Sequence, residues 1–258
     1  MALFQDAVSI LDNSNNKQVK KIEDSNGNII WGSQSDFPYR KLEYLQGEHI
    51  TYGFDTGQSP QRNSYFRIDA EYIHDTTITN GSQQQGRGAV SNAQRFAIGF
   101  SKDSNNNISY FGGIGSNWNT LSTPAYTSGR HTLVVQGPDA TKYGSGQGYY
   151  IDDTFYPTSN TVGTPSTYYS VYVFGSRGNT SSTDPAQGEL SCKLYYAEIG
   201  YGSSNINARI YPAQRKSDGQ LGLIRIDGAG NVAFLTPRSG ETGTYTAGPV
   251  ADEYWDLQ

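Results

Sequence analysis

Short apolar segments that alternate with turn-forming residues restrict residues 208–249 to an antiparallel β-sheet. Two of the apolar segments cover residues 221–226 and 232–235, and Asp-Gly at 218–219 and Gly-Asn at 230–231 lie between segments. Glycine and asparagine adopt the positive φ angles of hairpin turns at low steric cost. A strand, a turn and another strand, repeated over this length, are typical of an antiparallel sheet.

The same pattern extends through the chain from Tyr39 onward. Residues 65–73 show it most clearly, because every second residue from Phe66 to Tyr72 is apolar and those between are charged. Further predicted strands cover residues 95–100, 108–111, 131–136, 149–152 and 168–174. No window after Tyr39 keeps a 3.6-residue period. The sequence therefore predicts an all-β fold, either a sandwich of two antiparallel sheets or a barrel.

The longest predicted strand covers residues 190–201 and places Leu190, Cys192, Leu194 and Tyr196 on one apolar face. On that face, Cys192 is expected to be a buried and unreactive thiol. Because it is the single cysteine of the chain, an internal disulfide framework and a cysteine-rich zinc site are excluded.

The charge and hydropathy of the chain exclude several classes of partner. The net charge is −5 and no acidic or basic run occurs, so no surface for nucleic acid is predicted. No apolar run has the length of a membrane span, and the first residues lack the charged-then-apolar pattern of a signal peptide. We therefore expect synthesis in a cytoplasm and no membrane partner.

Residues 1–36 differ from the rest and are predicted to form a small N-terminal arm. Asn-Gly at 26–27 lies between the β-rich segments 19–22 and 29–31, which is the strongest short-range signal for a β-hairpin. A lone hairpin is marginally stable in water, so it is expected to pack on the main domain, on a copy of itself or on another protein. The candidate attachment residues are large apolar side chains of this arm: Phe4, Ile22, Ile30 and Trp31.

Two stretches within residues 37–258 resemble the concanavalin A-like, or laminin-G-like, jelly-roll domains of bacteriophage tail, fibre and head-decoration proteins. The opening stretch is RKLEYLQGEHITYGFDTG at 40–57, and the closing stretch at 210–249 contains RKSDG followed by LGL. Residues 131–156 are similar to the strand–turn–strand that ends in Ile-Asp-Asp in laminin-G-like domains. The segment 19–32 is similar to short segments of phage virion proteins. The resemblance implies a two-sheet antiparallel jelly-roll sandwich over 37–258.

The resemblance also implies a function. It indicates a non-enzymatic structural protein of a bacteriophage virion, a decoration or fibre of the head or tail, synthesised in the bacterial host cytoplasm. Its arm would bind other virion proteins of the capsid or tail. A carbohydrate-binding module for host surface glycans is the alternative, and the two roles are compatible. A homo-oligomer also fits a fibre, although no heptad or collagen-like repeat enforces one.

The candidate glycan contact is a predicted loop around Trp118. Asn117 and Asn119 flank its indole, and Tyr126 follows in the same connection. Proteins hold sugars with aromatic faces and a few polar groups. The sequence therefore predicts Asn117, Trp118, Asn119 and Tyr126 as carbohydrate-binding residues, with a structural cap on the sandwich as the alternative role of Trp118.

No catalytic residue is predicted, although the jelly-roll group includes glycoside hydrolases and a glycan-cleaving enzyme is a further alternative. Such enzymes on this scaffold carry Glu-x-Asp-x-x-Glu on one strand face, and the chain lacks this arrangement. Asp69 and Glu71 are the nearest same-face pair of carboxylates, and we interpret them as a solvated polar edge. The three histidines have no ligand spacing, and no Gly-x-Ser-x-Gly elbow occurs.

No cofactor is predicted, with calcium as the alternative. Asp152 and Asp153, and Asp103 with residues 105–107, supply the hard oxygen ligands that calcium prefers. The same residue types are ordinary turn formers, which explains their positions without a metal.

Overall fold

Turn-forming residues interrupt the apolar segments, and the chain accordingly folds into short strands. The computed structural model describes residues 37–50, 52–73, 95–103, 105, 107–115, 124–144, 146–158, 170–175 and 191–251. It also describes the backbone of the strands at 7–10, 21–24, 29–32, 83–85, 89–90 and 117–121. Over these residues the structure contains strands and no helix, which confirms the all-β prediction.

The strands are numbered in chain order. They are β1 (Ala7–Ile10), β2 (Lys21–Asp24), β3 (Ile29–Gly32), β4 (Tyr39–Lys41), β5 (Leu45–Glu48), β6 (Phe54–Asp55), β7 (Ser64–Ile73), β8 (Gln83–Gln85), β9 (Ala89–Val90), β10 (Arg95–Lys102), β11 (Ile108–Gly115), β12 (Asn117–Leu121), β13 (Arg130–Gln136), β14 (Gly148–Ile151), β15 (Thr154–Pro157), β16 (Tyr172–Val173), β17 (Ser191–Tyr201), β18 (Asn205–Arg215), β19 (Leu221–Asp227), β20 (Val232–Leu235) and β21 (Thr244–Ala247).

Two antiparallel sheets make up most of the structure. The large sheet has the order β15-β14-β13-β7-β17-β18-β19-β20, and β4, β5 and β21 pair with its members. The small sheet has the order β12-β11-β10-β8, with β9 paired to β10. The strands β6 and β16 form a separate pair. Every pairing between described strands is antiparallel, as the turn-rich sequence predicts.

The main core contains side chains from both sheets. Ile68 in β7 and Leu133 in β13 belong to the same buried cluster as Phe96 and Ile98 in β10. The predicted apolar face of residues 65–73 is confirmed, because Phe66, Ile68, Ala70 and Tyr72 are all in this cluster. A Cβ atom on Gly112 would lie 2.1 Å from the ring of Tyr149 in the large sheet, so glycine allows the two sheets to approach here.

The opening and closing stretches of residues 37–251 lie side by side in the large sheet. β5 pairs with β21, and β4 pairs with the C-terminal part of β18. The RKSDG phrase forms the turn between β18 and β19, where Gly219 has a φ of 74° and the side chains of Arg215 and Asp218 form an ion pair. The turn predicted at 218–219 is therefore confirmed.

The N-terminal residues with a described backbone form a separate three-stranded sheet, β1-β2-β3. β2 and β3 pair antiparallel with Ile22 opposite Trp31, as the predicted hairpin requires. The Asn-Gly turn at 26–27 lies outside the described residues, and so does Phe4.

Candidate functional site

The large sheet has a second face, turned away from the main core, which we call the outer face. In β7, Arg67, Asp69 and Glu71 alternate with the core residues Ile68 and Ala70, and therefore point to the outer face. The side chains of β7 on this face are charged, and such side chains are normally expected to be exposed to solvent.

A β-bulge in β17 changes which of its side chains reach the outer face. Leu194 pairs with Ala70 and Tyr196 with Asp69, so Tyr195 is an extra residue in β17. Cys192 and Leu194 lie in the main core as predicted, but Tyr196 packs against a second buried cluster that contains Tyr211 and Ile224. Leu190 lies outside the described residues. The predicted placement of Tyr196 on the apolar face is wrong, because the bulge reverses the alternation and puts two consecutive tyrosines on the outer face.

A change of strand partner opens the sheet beside this bulge. Residues 197–201 of β17 pair with β18, whereas residues 192–194 pair with β5. The chain passes from β4, beside β18, to β5, beside β17, through Leu42 and Glu43. This change of partner positions Tyr195 and Tyr196 at a gap in the outer face.

An open pocket of about 520 Å³ occupies this gap. We call it the outer-face pocket. Its lining combines three tyrosines, charged groups of both signs and two small apolar contacts: Tyr195, Tyr196, Tyr211, Lys41, Arg130, Glu43, Asp69, Leu42 and Ala251.

At the base of the outer-face pocket, Asp69 is nearly buried, with a side chain 6% exposed. Arg67 donates two hydrogen bonds to its carboxylate, from Nε and Nη2, both at 2.9 Å. Arg130 Nη2 donates a third at 3.1 Å and Thr132 Oγ1 a fourth at 3.0 Å. The interpretation of Asp69 as part of a solvated edge is wrong, because β7 is a central strand and two arginines cover the carboxylate.

Two further carboxylates hold the tyrosines of the outer face in place. The hydroxyls of Tyr65 and Tyr196 donate to the two oxygens of Glu198, at 2.7 and 2.6 Å. The Tyr195 hydroxyl donates to Glu71 Oε2 at 2.6 Å. Burial and the negative charge of Glu198 raise the pKa of Tyr196 far above its usual value. These tyrosines therefore remain protonated donors with fixed ring positions.

Glu71 also accepts a hydrogen bond from Lys193 Nζ at 3.2 Å. The hydrogen bond from Tyr195, with help from the Lys193 ammonium, lowers the pKa of Glu71 below its usual value. Glu71 is thus a stable anion at neutral pH.

Cations lie over the tyrosine rings of the outer-face pocket. Arg130 lies 4.4 Å from the ring centroid of Tyr195, and Lys41 lies 4.9 Å from that of Tyr211. The guanidinium of Arg67 is 5.6 Å from the Tyr196 ring. Because the rings and carboxylates hold these cations, the charged side chains have defined positions.

The predicted glycan loop around Trp118 does not exist as a loop. Asn117, Trp118 and Asn119 belong to strand β12, and Trp118 pairs with Gly113 of β11. The predicted loop is wrong because pairing with β11 extends the backbone of residues 117–119, and a long-range pairing of this kind overrides local sequence preference. The side chains of these three residues lie outside the described part of the chain.

Tyr126 is half-buried against the main core and does not line the outer-face pocket. Its ring centroid is 5.8 Å from that of Tyr110 and 6.0 Å from that of His131. Burial raises the pKa of Tyr126 to about 12. Its sugar-binding role stays a prediction, as does the attachment role of Phe4, Ile22, Ile30 and Trp31, whose side chains are outside the described residues.

Two of the aspartates considered as calcium ligands, Asp103 and Asp152, are hydrogen-bonded to protein groups. Asp103 accepts from the backbone N–H groups of Asn105 and Asn107, both at 2.8 Å, and from Asn107 Nδ2. Asp152 lies 2.6 Å from His131 Nδ1 and accepts from Thr132 N. Within the described residues, no group of three or more His, Cys, Asp or Glu side chains is arranged to hold a metal.

The outer-face pocket itself was missed by sequence reasoning. The one local signal is the Tyr195-Tyr196 doublet in the middle of a strand, which breaks a strict alternation of core and surface residues. The other lining residues come from distant parts of the chain, so no spacing in the sequence connects them.

Among the described residues, none form a helix with the length and hydropathy of a membrane span. Comparisons with protein families, with curated proteins and with solved structures find no match to this chain.

Proposed function

We propose that this chain is a non-enzymatic structural protein of a bacteriophage virion that binds carbohydrate through the outer-face pocket. The observation that carries the binding proposal is the pocket at the gap in the large sheet, where tyrosines and hydrogen-bonding charged groups converge. Sites for small ligands are concave, with aromatic walls and a few fixed polar groups. A volume of about 520 Å³ is of the size that holds a small saccharide.

The pocket is built for recognition because its side chains come from strands and are held by further hydrogen bonds. Tyr195 and Tyr196 are fixed by Glu71 and Glu198, and Arg130 by Asp69. Groups fixed in this way lose little conformational entropy when a ligand binds.

The non-enzymatic part of the proposal is supported by the state of the carboxylates. A glycosidase needs one carboxyl group with a raised pKa as its general acid. The pKa of Glu71 is shifted in the opposite direction, and Asp69 is covered by two arginines. Release of reducing sugar from host capsule, abolished in an Asp69→Asn or Glu71→Gln variant, would contradict this proposal.

The virion part of the proposal is supported by the opening and closing stretches that resemble phage jelly-roll domains, and by the all-β antiparallel structure. On this proposal residues 37–258 form a jelly-roll domain that projects from the virion. The arm, residues 1–36, binds a capsid or tail protein through Phe4, Ile22, Ile30 and Trp31.

Purified full-length protein is expected to bind a subset of glycans on an array of bacterial surface saccharides. Replacing Tyr195 by alanine should weaken that binding by roughly tenfold or more, because the ring forms a wall of the pocket and holds Arg130. Tyr201→Ala is the matched control, since Tyr201 lies in the same strand but does not line the pocket.

Two results would contradict the binding proposal. Wild-type protein that binds no glycan would refute a carbohydrate-binding function. Binding that survives Tyr195→Ala but is lost in Trp118→Ala would move the site to β12.

For the arm, the full-length protein and a version lacking residues 1–36 are compared in phage assembled with each. The truncated protein is expected to be absent from purified virions while its thermal unfolding transition is retained, because the arm has its own sheet. A full-length Ile22→Asp variant should show the same loss. Normal incorporation of both variants would contradict the attachment role.

A further inference from the structure

The charges of the outer-face pocket are arranged asymmetrically with respect to solvent. Asp69 has a side chain only 6% exposed, whereas the side chain of Arg130, which contacts it, is 53% exposed. Asp69 also accepts two hydrogen bonds from Arg67. A ligand in the pocket therefore meets the exposed guanidinium of Arg130. The carboxylate of Asp69 is less accessible to the ligand, because Arg130 and Arg67 both pair with it.

Arg130 keeps most of its hydrogen-bonding capacity. Its described hydrogen bond uses Nη2 alone, and its remaining N–H groups make none with the described residues. The guanidinium carbon lies over the ring of Tyr195, 4.4 Å from its centroid, and that contact helps to orient the guanidinium. A planar fork of N–H donors held in one orientation is suited to a carboxylate, which it binds with two parallel hydrogen bonds.

The tyrosines of the pocket are less suited to a neutral sugar. The hydroxyls of Tyr195 and Tyr196 already donate to Glu71 and Glu198. All three rings have a cation over one face, including Lys41 over Tyr211. The rings thus position cations in the wall of the pocket.

Glu43 is the exposed carboxylate of the pocket, and its negative charge disfavours the binding of an anionic ligand. Lys41 precedes it by two residues and lines the same pocket as Arg130, so two cations face one accessible anion. Because the whole chain carries a net charge of −5, attraction of an anion has to come from this local arrangement.

We propose that the outer-face pocket selects acidic saccharides, and that Arg130, with Lys41 beside it, binds the carboxylate of a sugar acid. This inference rests on the proposed carbohydrate-binding function and specifies its ligand class. Because the pocket opens onto the outer face, it can hold one acidic residue of a longer polysaccharide that extends beyond it.

The test compares each acidic probe with its own carboxyl-reduced form. The probes are oligogalacturonate, oligoglucuronate and oligosialic acid, and reduction of each carboxylate to an alcohol leaves the rest of the sugar unchanged. Full-length protein is expected to bind at least one acidic probe with an affinity roughly tenfold or more higher than that for its reduced form. Its affinity should fall as salt increases, because the contact is ionic and partly exposed.

Arg130→Gln is expected to abolish the preference for the acidic probe, and Arg130→Lys to restore part of it, because lysine keeps the charge but not the planar fork. Arg62→Gln is the matched control, since Arg62 has a similar exposure, 47%, and pairs with Asp139 away from the pocket. Thermal unfolding of each variant verifies that it is folded.

The outcomes separate the two proposals. Equal affinity for acidic and reduced probes, or a preference that survives in Arg130→Gln, would overturn the selection of acidic sugars and leave carbohydrate binding intact. No binding to any glycan, acidic or neutral, would refute the proposed function, and the inference with it.

Discussion

Replacing Glu241 by alanine is expected to lower the free energy of unfolding by about 4 kcal/mol, because this single carboxylate accepts hydrogen bonds from four backbone N–H groups. Two of the four belong to Tyr52 and Gly53, at 2.8 and 2.7 Å. The other two belong to Thr242 and Gly243, at 3.0 and 2.8 Å. The first pair connects segments nearly the whole domain apart in sequence.

The loss is large because the segment at Tyr52 and Gly53 has little room to adjust. Gly53 has a φ of 71°, and a Cβ atom there would lie 2.1 Å from the carbonyl oxygen of Val173. Backbone N–H groups left without a partner in such a packed segment incur their full desolvation cost. Water can replace Glu241 more easily at Thr242, which is exposed.

Urea denaturation of the full-length chain measures this effect. Glu241→Gln should lose about half as much stability, since its one carbonyl oxygen still accepts from one pair of N–H groups. Asp139→Ala is the control, because Asp139 forms an exposed ion pair with Arg62 and its removal should change stability little. Equal, small effects of Glu241→Ala and Asp139→Ala would show that the four hydrogen bonds to Glu241 contribute nothing to stability.

Replacing Asp69 by alanine is expected to destabilise the domain by about 3 kcal/mol, the lower end of the range for breaking a buried ion pair. Four hydrogen bonds are lost, and two guanidiniums that the carboxylate neutralised then face each other. Arg130 has a 53% exposed side chain and can turn to solvent, which limits the cost. Arg67, at 30% exposure, is more restricted.

A double-mutant cycle separates charge repulsion from lost packing. Asp69→Asn retains the shape of the side chain but not its charge, and adding Arg130→Gln to it should recover part of the lost stability, because one of the two cations is removed. Strictly additive effects of the two changes would contradict the proposed coupling. The same variants in the glycan assay report how far Asp69 positions Arg130 for binding.

The local pattern of apolar and polar residues was sufficient to predict which side chains of β7 face the main core. The strict alternation of β7 predicts that Phe66, Ile68, Ala70 and Tyr72 lie in the main core, and the structure confirms it. The turn at 218–219 was equally predictable, since glycine there adopts a positive φ. Both results follow from interactions between near neighbours in the chain, which a sequence records directly.

The outer-face pocket depends on contacts that the sequence does not record. The bulge at Tyr195 reverses the alternation of β17, and Trp118 extends into a strand because β11 offers a partner. Strand propensity is weak and is overridden by such pairing. For this reason the predicted glycan loop was wrong, and the shared position of Tyr195 and Tyr196 on the outer face could not be predicted from the alternation.

The sequence by itself therefore determined that the chain forms antiparallel strands, that it turns at 218–219, and which apolar residues of β7 face the main core, because these depend on local turn chemistry and a two-residue period. The tertiary structure alone decided that Asp69 is buried between Arg67 and Arg130, and that Lys41 and Tyr211 meet them at one pocket. Those residues come from β4, β7, β13 and β18, and the order of strands in the sheet, set by long-range pairing, brings them together.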